Sequence, residues 1–221
     1  MRTIIISCGF LRHHVDAAQE KMNTNYEIIE MDTTLHAEPK DMRTALWETM
    51  EKLDDDVDQV LIAMGLCGGS VSELPLPKNI VMPKVDDCIT MLMHTDENWY
   101  PNLKEGGHMY LADDIDGKLS VPKIYREQLE KYGEKKGKRL FDIWFESYRY
   151  VDIIDTGYYD CHCEDYISKA QEAAELIHSE VQYVDGSNIL LEKLVSGRWD
   201  KQFIVAEKGQ VLQKEDFFLV E

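Results

Sequence analysis

Apolar residues fall in short runs and in helical spacings that alternate along the chain. Residues 4–7 open it with a β-branched run that meets Cys8-Gly9, the pattern of a strand buried on both faces. Val15, Ala18 and Met22 then mark one face of a short helix, and residues 26–31 predict a second strand ending at Asp32. Met42, Ala45, Leu46, Thr49, Met50 and Leu53 recur at helical spacing, with Pro39 at the start where a helix tolerates it. Residues 60–64 and 80–85 predict two further strands, running into Gly65-Leu66-Cys67-Gly68-Gly69 and Asp86-Asp87-Cys88.

The alternation resumes after a loop over 95–107. Strands are predicted at 109–112, 150–154, 181–184 and 203–206. Helical stretches cover 122–148, broken or loosened near Gly133 and Gly137, then 166–177 and 189–195. Strands alternating with helices predict parallel βαβ units with right-handed crossovers. The expected fold is α/β, with two Rossmann-like lobes, 1–95 and 96–221, whose parallel sheets open a cleft at the strand C-terminal ends.

Composition narrows the function. A formal net charge of −18 opposes phosphate contacts, so no nucleic acid partner and no anionic membrane surface is expected. No apolar run reaches the roughly 18–20 residues of a membrane span, and the apolar start is too short for a signal peptide. Five cysteines, an odd number, argue against a secreted disulfide framework and for reduced thiols in a cytoplasmic protein.

Ligand crevices of open parallel sheets lie beyond the strands' carboxyl ends. Those ends collect Cys8, the Gly65, Leu66, Cys67, Gly68, Gly69 loop, Asp86, Asp87, Cys88, and Asp155, Thr156, Gly157, Tyr158, to which His94 adds an imidazole. Glycine and aspartate also end strands because turns need them. The Gly65–Gly69 segment matches neither a P-loop nor a dinucleotide fingerprint, and hydrolase elbows and zincin motifs have no counterpart. Catalytic residues are therefore not assigned. Cys67, Cys88, Cys161, His162 and Cys163, with His94 or His108, supply the sulfur and nitrogen donors that zinc or iron favours, although Cys161-His162-Cys163 lacks zinc-knuckle spacing. Met82, Met91, Met93, Trp99, Tyr100, Tyr158 and Tyr159 would suit either a planar ligand or plain core.

Gly65-Leu66-Cys67-Gly68-Gly69, the segment from Met82-Pro83-Lys84 to Asp86-Asp87-Cys88-Ile89, Tyr148-Arg149-Tyr150 and Asp155-Thr156-Gly157 resemble a domain-of-unknown-function family, DUF1638. Lys84 stands where that family carries arginine, and residues 107–111 depart from its pattern. The resemblance implies a place beside corrinoid-dependent methyltransferase systems of anaerobes, and hence capture or delivery of a corrinoid such as cobalamin. The implied partners are a corrinoid protein or a methyltransferase, with homo-oligomerisation left open. Cobalt-ligating carrier and ferredoxin motifs are missing. Two other readings stand beside this one, a Cys/His-ligated metal protein and a methyl-transfer enzyme using Cys67 or Cys88.

Overall fold

The computed structural model describes residues 2–95, 100 and 102–218. The chain forms two compact units. The first joins residues 1–103 to 187–221, and the second is residues 104–186.

The first unit is built on a five-stranded sheet. Strands β1 (Arg2–Cys8), β2 (Glu27–Met31), β3 (Val57–Ala63), β4 (Ile80–Pro83) and β8 (Phe203–Ala206) lie in the order β2-β1-β3-β4-β8. The first four are parallel, with Ile5 opposite both Ile28 and Leu61 and with Val60 opposite Ile80. Ile5, Ile6, Val60, Ile62 and Ile80–Met82 are wholly buried, which is why these runs are continuous rather than alternating.

Helix α1 (Arg12–Met22) turns Val15 and Ala18 inward and packs with α7 (Ile189–Ser196), which buries Leu190, Leu191 and Leu194. It stops at Asn23, whose left-handed backbone closes the last turn with bonds to Gln19 and Glu20. Helix α2 (Pro39–Glu51) buries Met42, Leu46 and Met50 at the spacing the sequence predicts. The short α3 (Cys88–Met93) is capped by Asp87, which accepts from the Thr90 amide at 2.9 Å.

Strand order reverses between β1 and β3. β2 lies on one side of that point and β4 on the other, so the carboxyl ends of β1 and β3 flank a topological switch point. The expected lobe boundary needs correction, because α7 and β8 belong to the first unit and not to the second. β8 pairs antiparallel with β4, Ile80 opposite Ala206, and covers its otherwise unpaired edge.

The second unit carries a three-stranded parallel sheet, β5 (His108–Leu111), β6 (Tyr150–Asp155) and β7 (Glu180–Asp185), in that order. Helices α4 (Val121–Tyr132), α5 (Glu134–Phe145) and α6 (Glu164–Leu176) supply Val121, Phe141, Phe145, Ala173 and Ala174 to a core with Val151 of β6. The helical region expected over 122–148 is two helices, broken at Gly133 as expected. Gly133, at a positive φ of 76°, divides them. Gly137 does not loosen α5; a β-carbon there would meet the Gln128 carbonyl oxygen at 2.4 Å, so its bare Cα lets α4 and α5 approach. Among the described residues no helix is long and apolar enough to cross a membrane.

Candidate metal centre

Four successive parallel strands of the first unit each deliver, at or just past the carboxyl end, one side chain of a kind that can ligate a metal. Cys8 closes β1. His36 follows β2, in a short 3-10 helix (Thr33–Ala37) that Asp32 starts by accepting from the Thr34 amide at 2.9 Å and its hydroxyl at 2.8 Å. Cys67 follows β3, and Cys88 begins the helix after β4.

Backbone bonds hold the last two turns side by side. The Leu66 amide donates to Val85 at 2.9 Å, and the Cys67 amide to Asp86 at 2.7 Å. The close approach requires glycine at 65, where a β-carbon would lie 2.4 Å from the Asp87 Cα. Cys67 has a positive φ of 46°, an uncommon backbone for a residue with a side chain, followed by Gly68 and Gly69 at 73° and 102°. Arg43 braces this loop, its guanidinium donating to the Gly69 carbonyl at 2.6 and 3.2 Å while pairing with Glu73 at 2.9 Å.

Cys8 Sγ lies 3.0 Å from His36 Nε2, and the donor atoms of Cys8, His36 and Cys88 all fall within 4.8 Å of one another. Cys67 lies outside that set, but it is near enough to His36 and Cys88 to shift their protonation and its own. Tetrahedral zinc with sulfur and nitrogen bonds of roughly 2.3 and 2.0 Å separates its donors by roughly 3.5–3.8 Å, a spacing that the Cys8, His36 and Cys88 donors bracket. Cys8 and Cys88 are buried, whereas His36 and Cys67 are partly exposed.

The protonation pattern follows from this crowding. A hydrogen bond from Cys88 brings the Cys8 thiol down to about 5 against the opposing effect of burial, and His36 adds to the shift. Cys67 falls to about 6, again chiefly through Cys88 and then His36. His36 rises to about 10 because Cys67 and Cys8 accept from it. Cys88, bonded to both neighbouring sulfurs and wholly enclosed, is held well above the usual thiol range. At neutral pH the metal-free cluster therefore holds two thiolates, an imidazolium and one thiol. Bare thiolates in so apolar a setting are costly, and a soft or borderline cation is their natural partner.

Strand-end reading singled out Cys8, Cys67 and Cys88, and it expected Gly65, Leu66, Gly68, Gly69, Asp86 and Asp87 to bind a cofactor; the structure places these six in the two loops that carry Cys67 and Cys88. That reading gave Cys8 a cofactor role and not that of a metal ligand, and it missed His36. The signal was there: His36 lies four residues past Asp32, at the end of a strand already recognised. His94 is buried, bonded through Nε2 to the Tyr100 carbonyl at 2.9 Å, and is not a member of the cluster. Met82 and Met91 are core residues, and Trp99 lies outside the described residues. Asp155, Thr156, Gly157, Tyr158, Cys161, His162 and Cys163 belong to the second unit, where Cys161 and His162 group with Asp155. His108 is also there, its Nδ1 2.8 Å from the buried Asp152 carboxylate.

The family described as a protein of unknown function, DUF1638, matches residues 30–195, three quarters of the chain, and the chain belongs to that family. No curated protein and no solved structure matches it. His36, Cys67 and Cys88 lie inside the matched region, and Cys8 precedes it.

Proposed function

We propose that the first unit binds one borderline-soft divalent cation, zinc foremost, through Cys8, His36, Cys67 and Cys88. The observation that carries this reading is that four parallel strands each place a sulfur or imidazole donor at the switch point of their sheet. Four donors fill a tetrahedron, so the centre is of the closed kind that organises a fold. It ties together the four strand ends that carry them. A cysteine–histidine nucleophile at Cys67 or Cys88 is the less favoured use of the same groups, because Cys88 is buried and the partly exposed Cys67 is one of four donors gathered at neighbouring strand ends.

Elemental analysis of chain purified without oxygen tests the proposal. The expected result is at least one equivalent of metal, with one equivalent lost in a Cys8→Ala, Cys88→Ala double variant. A wild-type chain carrying only traces, even after incubation with zinc, overturns it. Corrinoid handling rests on the family resemblance and remains a separate proposal. Its support is that resemblance alone, and its test is a cobalamin titration: a shifted visible spectrum with a raised melting temperature supports it, and no change at saturating ligand ends it.

A further inference from the structure

The second unit gathers a different donor set at the carboxyl end of β6. Asp155 is the last residue of that strand, and six residues later the chain returns with Cys161 and His162. His162 Nε2 lies 2.9 Å from Asp155 Oδ2, and one donor atom from each of Asp155, Cys161 and His162 falls within 4.8 Å of the others.

The surroundings hold these groups in place. The other Asp155 oxygen accepts from the Gly157 amide at 3.0 Å, which fixes the carboxylate plane. The Tyr183 ring stacks on the His162 imidazole, centroids 4.7 Å apart and planes inclined at 24°, and its hydroxyl donates to the Cys161 carbonyl at 3.1 Å. The His162 amide donates to Asp160 Oδ1 at 3.2 Å. Cys161 is wholly buried against Ile153, Tyr166 and Ala170, so its sulfur cannot swing away from the carboxylate and imidazole.

We infer that Asp155, Cys161 and His162 form a second divalent-metal site, chemically unlike the first. One oxygen, one sulfur and one nitrogen match zinc and its borderline neighbours better than magnesium or calcium, which take oxygen alone. Three protein donors leave a coordination position unfilled. It faces outward, because the His162 side chain is 61% exposed and that of Asp155 37% exposed. Sites with three protein ligands and an exchangeable water are those at which a metal can take up a small anionic or neutral ligand. This inference does not depend on the centre in the first unit.

Equilibrium dialysis of the full chain against zinc ions, with metal and protein both quantified, tests it. The wild-type chain is expected to retain two equivalents and His162→Ala one, with Cys161→Ala behaving in the same way. His162 is exposed, so its loss leaves folding intact, and an unchanged melting curve without metal checks this. Equal uptake by wild type and His162→Ala overturns the inference. One wild-type equivalent that persists in His162→Ala and disappears in the Cys8→Ala, Cys88→Ala variant also overturns it while leaving the first centre standing. One equivalent with the reverse dependence supports it and removes the first centre instead, whereas no uptake at all removes both.

Discussion

Gly65 packs against the backbone of Asp87 so closely that any side chain at 65 would overlap it, because a β-carbon there would sit 2.4 Å from the Asp87 Cα. These two residues set the spacing between the loops that carry Cys67 and Cys88. Overlap with backbone cannot be relieved by turning a side chain. Gly65→Ala should therefore part the loops, weakening zinc binding by about 10–100-fold, as loss of a supporting contact does, and lowering stability by about 1–3 kcal/mol. Competition with a chromophoric chelator and a urea titration read the two effects. Wild-type affinity in this variant would show that the loop spacing does not govern the centre.

Metal loading should release protons. His36 is raised to about 10 and Cys88 lies well above the thiol range, while Cys8 and Cys67 are already ionised at neutral pH. A metal takes neutral imidazole and thiolate. Binding at pH 7.5 to the first centre therefore displaces about two protons, one from His36 and one from Cys88. A pH-indicator titration in weak buffer, performed on His162→Ala to isolate this centre, gives the count directly. Release of none would contradict the protonation pattern.

His94 gives the fold an acid sensitivity of its own. Burial, the main cause, lowers its pKa to about 4, with the Lys193 ammonium pushing the same way and the Tyr100 carbonyl opposing. Unfolded histidine titrates near 6.5. Between these values the unfolded chain takes up a proton that the folded chain refuses, so stability falls as pH drops through the window and is unaffected above it. The loss attributable to His94 between pH 7.5 and 5 is about 2 kcal/mol. Urea unfolding of metal-free protein at both pH values should show that difference shrinking in His94→Gln, which keeps a donor toward Tyr100. An identical pH response in the variant would refute the assignment.

Gly137→Ala sets helix propensity against packing. Alanine gains about 1 kcal/mol over glycine in a helix interior, but its β-carbon would strike the Gln128 carbonyl oxygen at 2.4 Å and the Leu129 Cα at 2.8 Å. Overpacking costs about 1–3 kcal/mol, so the net expectation is a lower melting temperature with zinc affinity of the first centre unchanged. A higher melting temperature would mean that α4 and α5 separate at little cost.

Much of the architecture was legible because burial on both faces leaves continuous apolar runs. The runs around Ile5, Leu61 and Val81 announce parallel central strands without any knowledge of their partners. The run at 203–206 was equally plain as a strand, yet its place was not, since pairing with β4 depends on contacts more than a hundred residues apart in sequence. The lobe boundary was misplaced for the same reason. Cys67 and Cys88 were legible from strand ends alone. His36 was not, because a histidine in a short 3-10 turn carries no periodic signal, and His94 drew attention only as an available imidazole. Gly137 read as a flaw in a helix because a sequence does not display the neighbouring helix that needs its bare Cα.

The order of the donors has a consequence for biogenesis. All four donors of the first centre fall before residue 89, whereas β8 is contributed only after the whole of the second unit has been made. A ribosome working from the N-terminus thus exposes all four donors of the proposed centre on a half-built sheet. If the proposed centre takes up its ion at that stage, the ion would pin the parallel strands while the remaining edge is still being translated, and shield them from pairing with other nascent chains.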